Sequence, residues 1–430
     1  MPMTATTAPA SALAPAPPTP LEARDGGTPA FGATPRPARR ERLMSLDAFR
    51  GLTVAGMLLV NNPGTWGAIY QPLEHAPWNG WTPTDLIFPF FLFIVGITTH
   101  LSLAQRRARG DGDGVLVRQI LRRGTLIFLC GFALSLFPGF TWLSIAGHPD
   151  ATIVDRVVHR WEHVRIMGVL QRIGVAYTIA ALLSFRASLT RVVVTTMALL
   201  YGYWAILAFA PTPGTGIVGE IDVGALTLQG WLDRAIFGVD HVWAGTGGTY
   251  DPEGILSSLG AVASVLCGVF AGRWIAQPRP LIERVAALFA AGALVAVVGL
   301  MWHWSLPINK NLWTPSYVVF MAGMASMTLA TCMWLIEEMD VTRWAKPFLA
   351  FGVNPIVAFV GSGLMARCLY SIFTGSWQGK TVPIQRVLYE TGFHSWLAPK
   401  NASLLFAFAF VLLWFGILSV LDGKQWYLKI

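Results

Sequence analysis

The chain has 430 residues, 54% hydrophobic and only 13% charged, with a mean hydropathy of +0.54. A water-soluble domain carries roughly a quarter charged residues, so this composition excludes one and points to a chain that crosses a bilayer several times. The net charge of +8 is spread along the sequence rather than gathered in one patch, so no nucleic-acid partner is expected.

Residues 1–41 are rich in Ala, Pro and Thr and lead into the basic run PRPARRER. Such a segment buries too little apolar area to offset its ordering entropy, so it reads as a disordered cytoplasmic tail. The membrane domain is then 42–430. Because the charges precede a long apolar run, the first span is expected to be retained rather than cleaved as a signal peptide.

Apolar runs follow near 43–62, 84–104, 116–138, 165–185, 190–210, 255–274, 283–304, 316–337, 346–369 and 402–422. Each is long enough for a membrane helix, which takes about 20 residues. The stretch 382–397 is too polar and brief to cross and is expected at the interface. The fold class is therefore all-α, a polytopic integral membrane bundle of about ten transmembrane helices.

Orientation follows from Lys and Arg in the loops. Arg36, Arg39, Arg40 and Arg42 precede the first span. Arg106, Arg107, Arg109 and Arg118 join the second and third, with Arg122 and Arg123 just inside the third. Arg186 and Arg191, then Arg273, Arg279 and Arg284, then Arg343 and Lys346 mark later alternate loops, and Lys424 and Lys429 follow the last span. Residues 62–83 contain no Lys or Arg. Both termini are expected in the cytoplasm, with His75 facing out. The four cysteines (Cys130, Cys267, Cys332 and Cys368) stand singly in apolar runs and read as free thiols, with neither a disulfide framework nor a zinc site.

Polar residues within and beside the spans are the candidates for chemistry. Asp47 and Arg50 share a helix face, where they form either a structural ion pair or a functional one. Asn61 either caps the first helix or points its amide into a cavity with His75. His75 is either an interfacial residue in an aromatic belt of Trp66, Trp78 and Trp81 or a catalytic one. In Thr82-Pro83-Thr84-Asp85, the acid completes a capping box or orients an imidazole. Arg172 lies inside an apolar run and needs a partner. Asp251 and Glu253 read as a helix start, Asn309, Lys310, Asn311 and Trp313 form a short outer loop, and Asn354-Pro355 is expected to kink span nine. Together these side chains suggest one outward-facing site. No Walker A loop, dinucleotide glycine fingerprint or H-E-x-x-H string is present, which argues against an ATP-driven pump.

The blocks SLDAFRGLTVAGMLLVN, EHAPWNGWTPTDLIFPFFLFIVG, GVLQRIGVAY, DPEGILSSL, PINKNLWTPSY and GVNPIVAF resemble, in this order, the heparan-α-glucosaminide N-acetyltransferase family, and in particular its bacterial members. The H-A-x-W-N-G-x-T-x-x-D-L and P-x-N-K-N-L-W strings carry the resemblance; SLDAFRG is shared more widely among membrane acyltransferases. The resemblance implies that acetyl-CoA, as a cosubstrate and with no metal, gives its acetyl group to an amino-sugar amine across the membrane. It implies His75 as the catalytic residue with Asn61 beside it, and Asp85 is the third expected catalytic member. Arg50, Arg118, Arg122, Arg123 and Arg172, with Arg106 and Arg107, are the cationic side chains expected to serve the CoA. Trp78, Asn79, Asp251, Glu253, Asn309, Lys310 and Asn311 are expected to meet the acceptor.

The expected setting is a bacterial inner membrane with the His75 loop in the periplasm, and a homodimer is the assembly left open. A secondary transporter of N-acetylglucosamine or a related sugar is the competing reading, since broken helices and buried polar groups serve transport too. Against it stand the lack of an internal repeat and the gathering of His75, Asn61 and Asp85 at the membrane boundary.

Overall fold

A computed structural model describes residues 43–141, 145, 148 and 150–428. The expected tail at 1–41, the four arginines ahead of the first span, and Lys429 lie outside the described residues.

The chain opens with α1 (Met44–Asn61), α2 (Ile87–Ala108) and α3 (Asp113–Leu136). A short α4 (Ile153–Glu162) precedes α5 (Val169–Ser184) and α6 (Leu189–Phe209). A second short helix, α7 (Leu228–Phe237), comes before α8 (Ser258–Ile275), α9 (Leu281–His303) and α10 (Pro315–Met333). The ninth expected span is a broken pair, α11 (Lys346–Val353) and α12 (Pro355–Arg367). A two-stranded antiparallel hairpin, β1 (Thr374–Trp377) and β2 (Lys380–Pro383), and α13 (Ile384–Tyr389) lead to α14 (Pro399–Gly423).

The protein is thus an all-α polytopic membrane protein. Among the described residues eight helices are long and apolar enough to cross a membrane. The two remaining expected spans are α1, whose apolar run is diluted by Asp47 and Arg50, and α5, which has only 16 residues. The α5 helix starts at 169 rather than 165 because Gly168 is fully extended (φ −167°) and Arg165 is drawn out to an acidic pair. At the break in span nine Asn354 leaves helical geometry (φ −126°, ψ 50°) and Pro355 has no N–H to continue the ladder. The Asn354 amide is held from both ends: Nδ2 donates to the Trp426 carbonyl at 3.0 Å, and Leu428 N donates to Oδ1 at 3.3 Å.

Close backbone approach organises the bundle. The pairs α2–α8, α9–α10, α3–α5 and α1–α11 make the most extensive contacts. At the α2–α8 crossing a Cβ on Gly96 would lie 2.0 Å from the Val265 carbonyl oxygen, and one on Gly268 would lie 2.0 Å from that of Phe93. Only glycine fits there, as is usual where membrane helices pack on small residues. The main core lies between α2, α5, α8 and α10, around the wholly buried Trp313. That ring packs edge-on against Phe88 (5.0 Å) and Tyr317 (5.2 Å), and its Nε1 donates to Ser264 Oγ at 3.0 Å. Outward faces are apolar instead, with Leu294 on α9 and Leu412 on α14 more than half exposed, as lipid contact requires.

Between the spans the chain adds short elements. The α4 helix is a surface helix opened by a Thr152–Asp155 capping box, and α7 is opened by Thr227, whose Oγ1 accepts from Gly230 N at 3.0 Å. The region near 382–397, which is not among the helices long enough to cross, divides into the end of a hairpin, α13 and a wider turn at Glu390–His394. All four cysteines are free thiols.

Candidate active site

The loop between α1 and α2 folds around one carboxylate. Pro83 opens the turn that leads into α2, and Thr82 and Asp85 close a capping box across it. Asp85 Oδ2 accepts from Thr82 N (3.0 Å), Thr82 Oγ1 (3.2 Å) and Ala76 N (3.1 Å). Its other oxygen, Oδ1, accepts from His75 Nδ1 at 2.7 Å. An ionised carboxylate only accepts, so the neutral imidazole carries its proton on Nδ1 and offers a lone pair at Nε2. The two readings of Asp85, cap and orienting acid, are therefore both realised by one side chain. Asp85 is fully buried while the His75 side chain is about half exposed, so a fixed carboxylate holds an accessible ring.

The other wall comes from the loop before α10. Lys310 Nζ lies 2.9 Å from Nδ1 and 3.0 Å from Nε2 of His75, and 3.7 Å from Asp85 Oδ1. Burial pushes the Lys310 ammonium below the usual lysine range, although Asp85 and Glu253 pull the other way. Asn309 builds this loop. Its Oδ1 accepts from Leu312 N (2.9 Å), and its Nδ2 donates to Asn79 Oδ1 (3.1 Å). The two asparagines also pair as an isolated antiparallel bridge, supported by Gly80 N donating to the Ile308 carbonyl at 2.7 Å. Tyr317 closes the back of the site by donating to the Asp85 carbonyl oxygen at 2.7 Å.

A second polar group stands beside the first. Arg165 bonds both carboxylates of Asp251 and Glu253, with Nε 2.8 Å from Asp251 Oδ2, and its guanidinium lies 5.6 Å from the Trp243 ring centroid. These charges raise Arg165 further above its already high range, against the effect of burial. Burial works to raise Glu253 as well, yet the Arg165 charge, with Arg172 and Lys310, brings it below the usual range; Asp251 stays raised by burial. Arg172 is wholly buried, reaches Ser257 Oγ and the Gly254 carbonyl, and lies 5.1 Å over Trp313. Gln229 joins the groups, donating to the carbonyls of Asp251 (2.9 Å) and Asn311 (3.0 Å).

Of the expected site residues, His75, Asp85 and Lys310 come together directly. Asn61 is brought elsewhere: it is exposed at the end of α1 and lines a cavity of about 370 Å³ with Arg165, Gln171, Ser362, Arg367 and Tyr370. Its neighbour Asn62 makes the cap contact, donating Nδ2 to the Leu58 carbonyl at 2.8 Å. Trp78 and Asn79 anchor the 221–222 segment, through Ile221 O (2.8 Å) and Asp222 Oδ1 (3.1 Å). The five arginines expected at the CoA do not converge. Arg50 pairs with Asp47 at 3.0 Å and reaches the Gly352 carbonyl, while Arg118 and Arg122 lie on the exposed side of α3. Arg123 lies 5.1 Å over the Tyr177 ring, and Arg172 belongs to the His75 end of the bundle. Tyr317 ends the PINKNLWTPSY block without being a candidate of its own, and Gln229 lies outside every motif quoted from the sequence.

Residues 42–219 match the family model described as "Heparan-alpha-glucosaminide N-acetyltransferase, catalytic". Two curated proteins of that name are similar to this chain. The one from Mus musculus is 29% identical over 372 residues, covering 76% of this chain and 54% of its own length. The one from Homo sapiens is 29% identical over 366 residues, covering 74% and 52%. The chain spans about half the length of these relatives. The resemblance read from the sequence motifs is borne out. His75 and Asp85 fall inside the family match, whereas Asp251, Glu253, Asn309 and Lys310 lie beyond it.

Proposed function

We propose, from the match of residues 42–219 to the catalytic region of the heparan-α-glucosaminide N-acetyltransferase family, that this protein is a membrane-embedded acetyltransferase. It moves an acetyl group from acetyl-CoA to the amine of a glucosamine-type sugar. The observation that carries the reading is the 2.7 Å bond from His75 Nδ1 to the buried Asp85 carboxylate. Asp85 fixes the ring and its tautomer, and Nε2 takes the proton from the attacking amine. The new bond joins the sugar nitrogen to the acetyl carbonyl carbon. The C–S bond then breaks, and CoA leaves as a thiolate that recovers the proton. The Lys310 ammonium, 3.0 Å from Nε2, is placed to stabilise the oxyanion that forms between these steps.

The two ends of the bundle suit the two substrates. The His75 end has a loop without Lys or Arg and faces the periplasm of a bacterial inner membrane. Arg118, Arg122 and Arg123 lie toward the other end of α3, where CoA phosphates arrive from the cytoplasm. The test uses purified protein in liposomes with labelled acetyl-CoA and glucosamine, comparing wild type with His75→Ala. Acetylated sugar and released CoA from wild type alone, with both proteins folded, support the assignment. Absence of transfer to any amine, with sugar uptake that survives His75→Ala, refutes it in favour of a transporter.

A further inference from the structure

Away from His75, the helix α4 places two histidines and a glutamate together. His159, Glu162 and His163 stand at i, i+3 and i+4, which puts them on one face. One donor atom from each lies within 4.8 Å of the others, and the two imidazole rings are 4.1 Å apart. His163 sits at the C-cap of the helix, where its Nδ1 bonds the His159 carbonyl oxygen at 2.9 Å. That bond commits Nδ1–H and leaves the lone pair on Nε2. Metal-binding histidines are ordinarily oriented in this way, by a backbone carbonyl on the other ring nitrogen.

A fourth donor arrives from a different element. Asp240 Oδ1 lies 3.7 Å from His163 Nε2. The turn that carries it, Val239–His241, is tied to the chain just after α4 by two bonds. His241 Nδ1 bonds the Val164 carbonyl at 2.8 Å, and Ile166 N donates to the His241 carbonyl at 3.1 Å. The helix is anchored from its other side by Arg160, which reaches the carbonyls of Ser135 and Leu136 at the end of α3. The backbones that hold all four donors are therefore fixed relative to one another. Ligands about 2.0–2.1 Å from a tetrahedral zinc ion stand about 3.4 Å apart. The three donors of α4, within 4.8 Å of one another, close on that spacing by side-chain rotation, and Asp240 approaches them from the His163 side, at 3.7 Å. Two imidazoles with two carboxylates suit a borderline metal such as zinc, whereas calcium and magnesium want six or more oxygens.

We propose that His159, Glu162, His163 and Asp240 form a zinc-class metal site that clips α4 to the 239–241 turn. This departs from the expectation that no metal is involved, and it stands independently of the acetyl-transfer reading. Its position gives it a structural task. The clipped segments continue directly into Arg165 and Trp243, which stack on each other beside the Asp251–Glu253 pair. A bound metal would hold that cradle in one arrangement.

The test is calorimetric titration of ZnCl2 into the full-length, tag-free protein in detergent after chelator treatment, with MgCl2 as the comparison cation. The proposal expects one saturable zinc per chain and no magnesium binding. It expects His163→Ala and, separately, Asp240→Asn to weaken zinc by about 10-fold or more. Asp240 is largely exposed, so its variant tests the site without disturbing a packed residue. Zinc should also raise the thermal transition of wild type and leave that of His163→Ala where it was. No saturable zinc in wild type, or zinc bound equally by wild type and both variants, would overturn the assignment.

Discussion

Lys310 Nζ is nearly equidistant from the two ring nitrogens of His75, at 2.9 and 3.0 Å, although the residues are 235 positions apart. An ammonium can only donate, so in this arrangement it meets the Nε2 lone pair, and in the proposed reaction it must turn from that lone pair to the developing oxyanion as the amine enters. Lys310→Met should lower kcat roughly 100-fold with little change in KM, as for loss of one oxyanion donor. The pH profile gives a second readout. Because burial lowers the Lys310 pKa, wild-type rate should fall as alkaline pH removes this proton, and Lys310→Arg should carry that limb to higher pH. Steady-state kinetics of CoA release across pH checks both.

Asp85→Asn keeps the shape of the turn and removes the charge. Its amide can still accept at one oxygen but cannot hold the Nδ1–H tautomer while also taking three donors at the cap. The expected result is a loss of roughly 10²–10⁴ in kcat. A variant with wild-type turnover would show that the imidazole does not need its carboxylate.

Arg165 is the counter-charge for two carboxylates that are nearly inaccessible to solvent. Arg165→Ala removes the cation bonded to both acids and leaves only the more distant charges of Arg172 and Lys310, which should cost about 3–5 kcal/mol. Arg165→Lys should recover only part of this, because an ammonium cannot bridge both acids in the planar fork of a guanidinium. Thermal unfolding in detergent distinguishes the three proteins.

Asp233 receives Asp251 N at 3.0 Å and Ile255 N at 3.2 Å, yet burial pushes its carboxyl up to about 6. In the unfolded chain the same group titrates near 4, so between pH 4 and 6 the folded state binds the extra proton. Stability should therefore fall as pH rises through this window and level off above it, by an amount on the order of 3 kcal/mol for this group. Asp233→Asn should flatten that segment of the profile. Thermal transitions at pH 4, 5, 6 and 7 for both proteins test the sign.

The spans were legible because a membrane helix needs only a long apolar run, and each of the ten runs contains helix. The capping box at Thr82–Asp85 and the break at Asn354–Pro355 were legible for a similar reason, since each is set by residues within one turn. The short elements were harder. The box at Thr152–Asp155 was present to be read, and so was the Gln378–Gly379 turn, where both residues take positive φ (50° and 74°). Neither sits in an apolar run, and a search for spans passes over them. Least legible were the long-range pairings. Nothing local in Lys310 or Tyr317 says that one will meet the imidazole and the other the backbone of its carboxylate.

The bridge between Asn79 and Asn309 bears on how the protein is made. These residues are 230 positions apart, and Tyr317 meets Asp85 across 232. At 5–20 residues per second, a ribosome needs on the order of tens of seconds to synthesise the intervening chain. During that interval His75 and its carboxylate have already left the ribosome, while the lysine and the tyrosine that complete their surroundings do not yet exist. The set of contacts is complete only when the eighth span has been delivered to the membrane, so a chain that stops between Asp85 and Asn309 carries the histidine–aspartate pair without the lysine or the tyrosine.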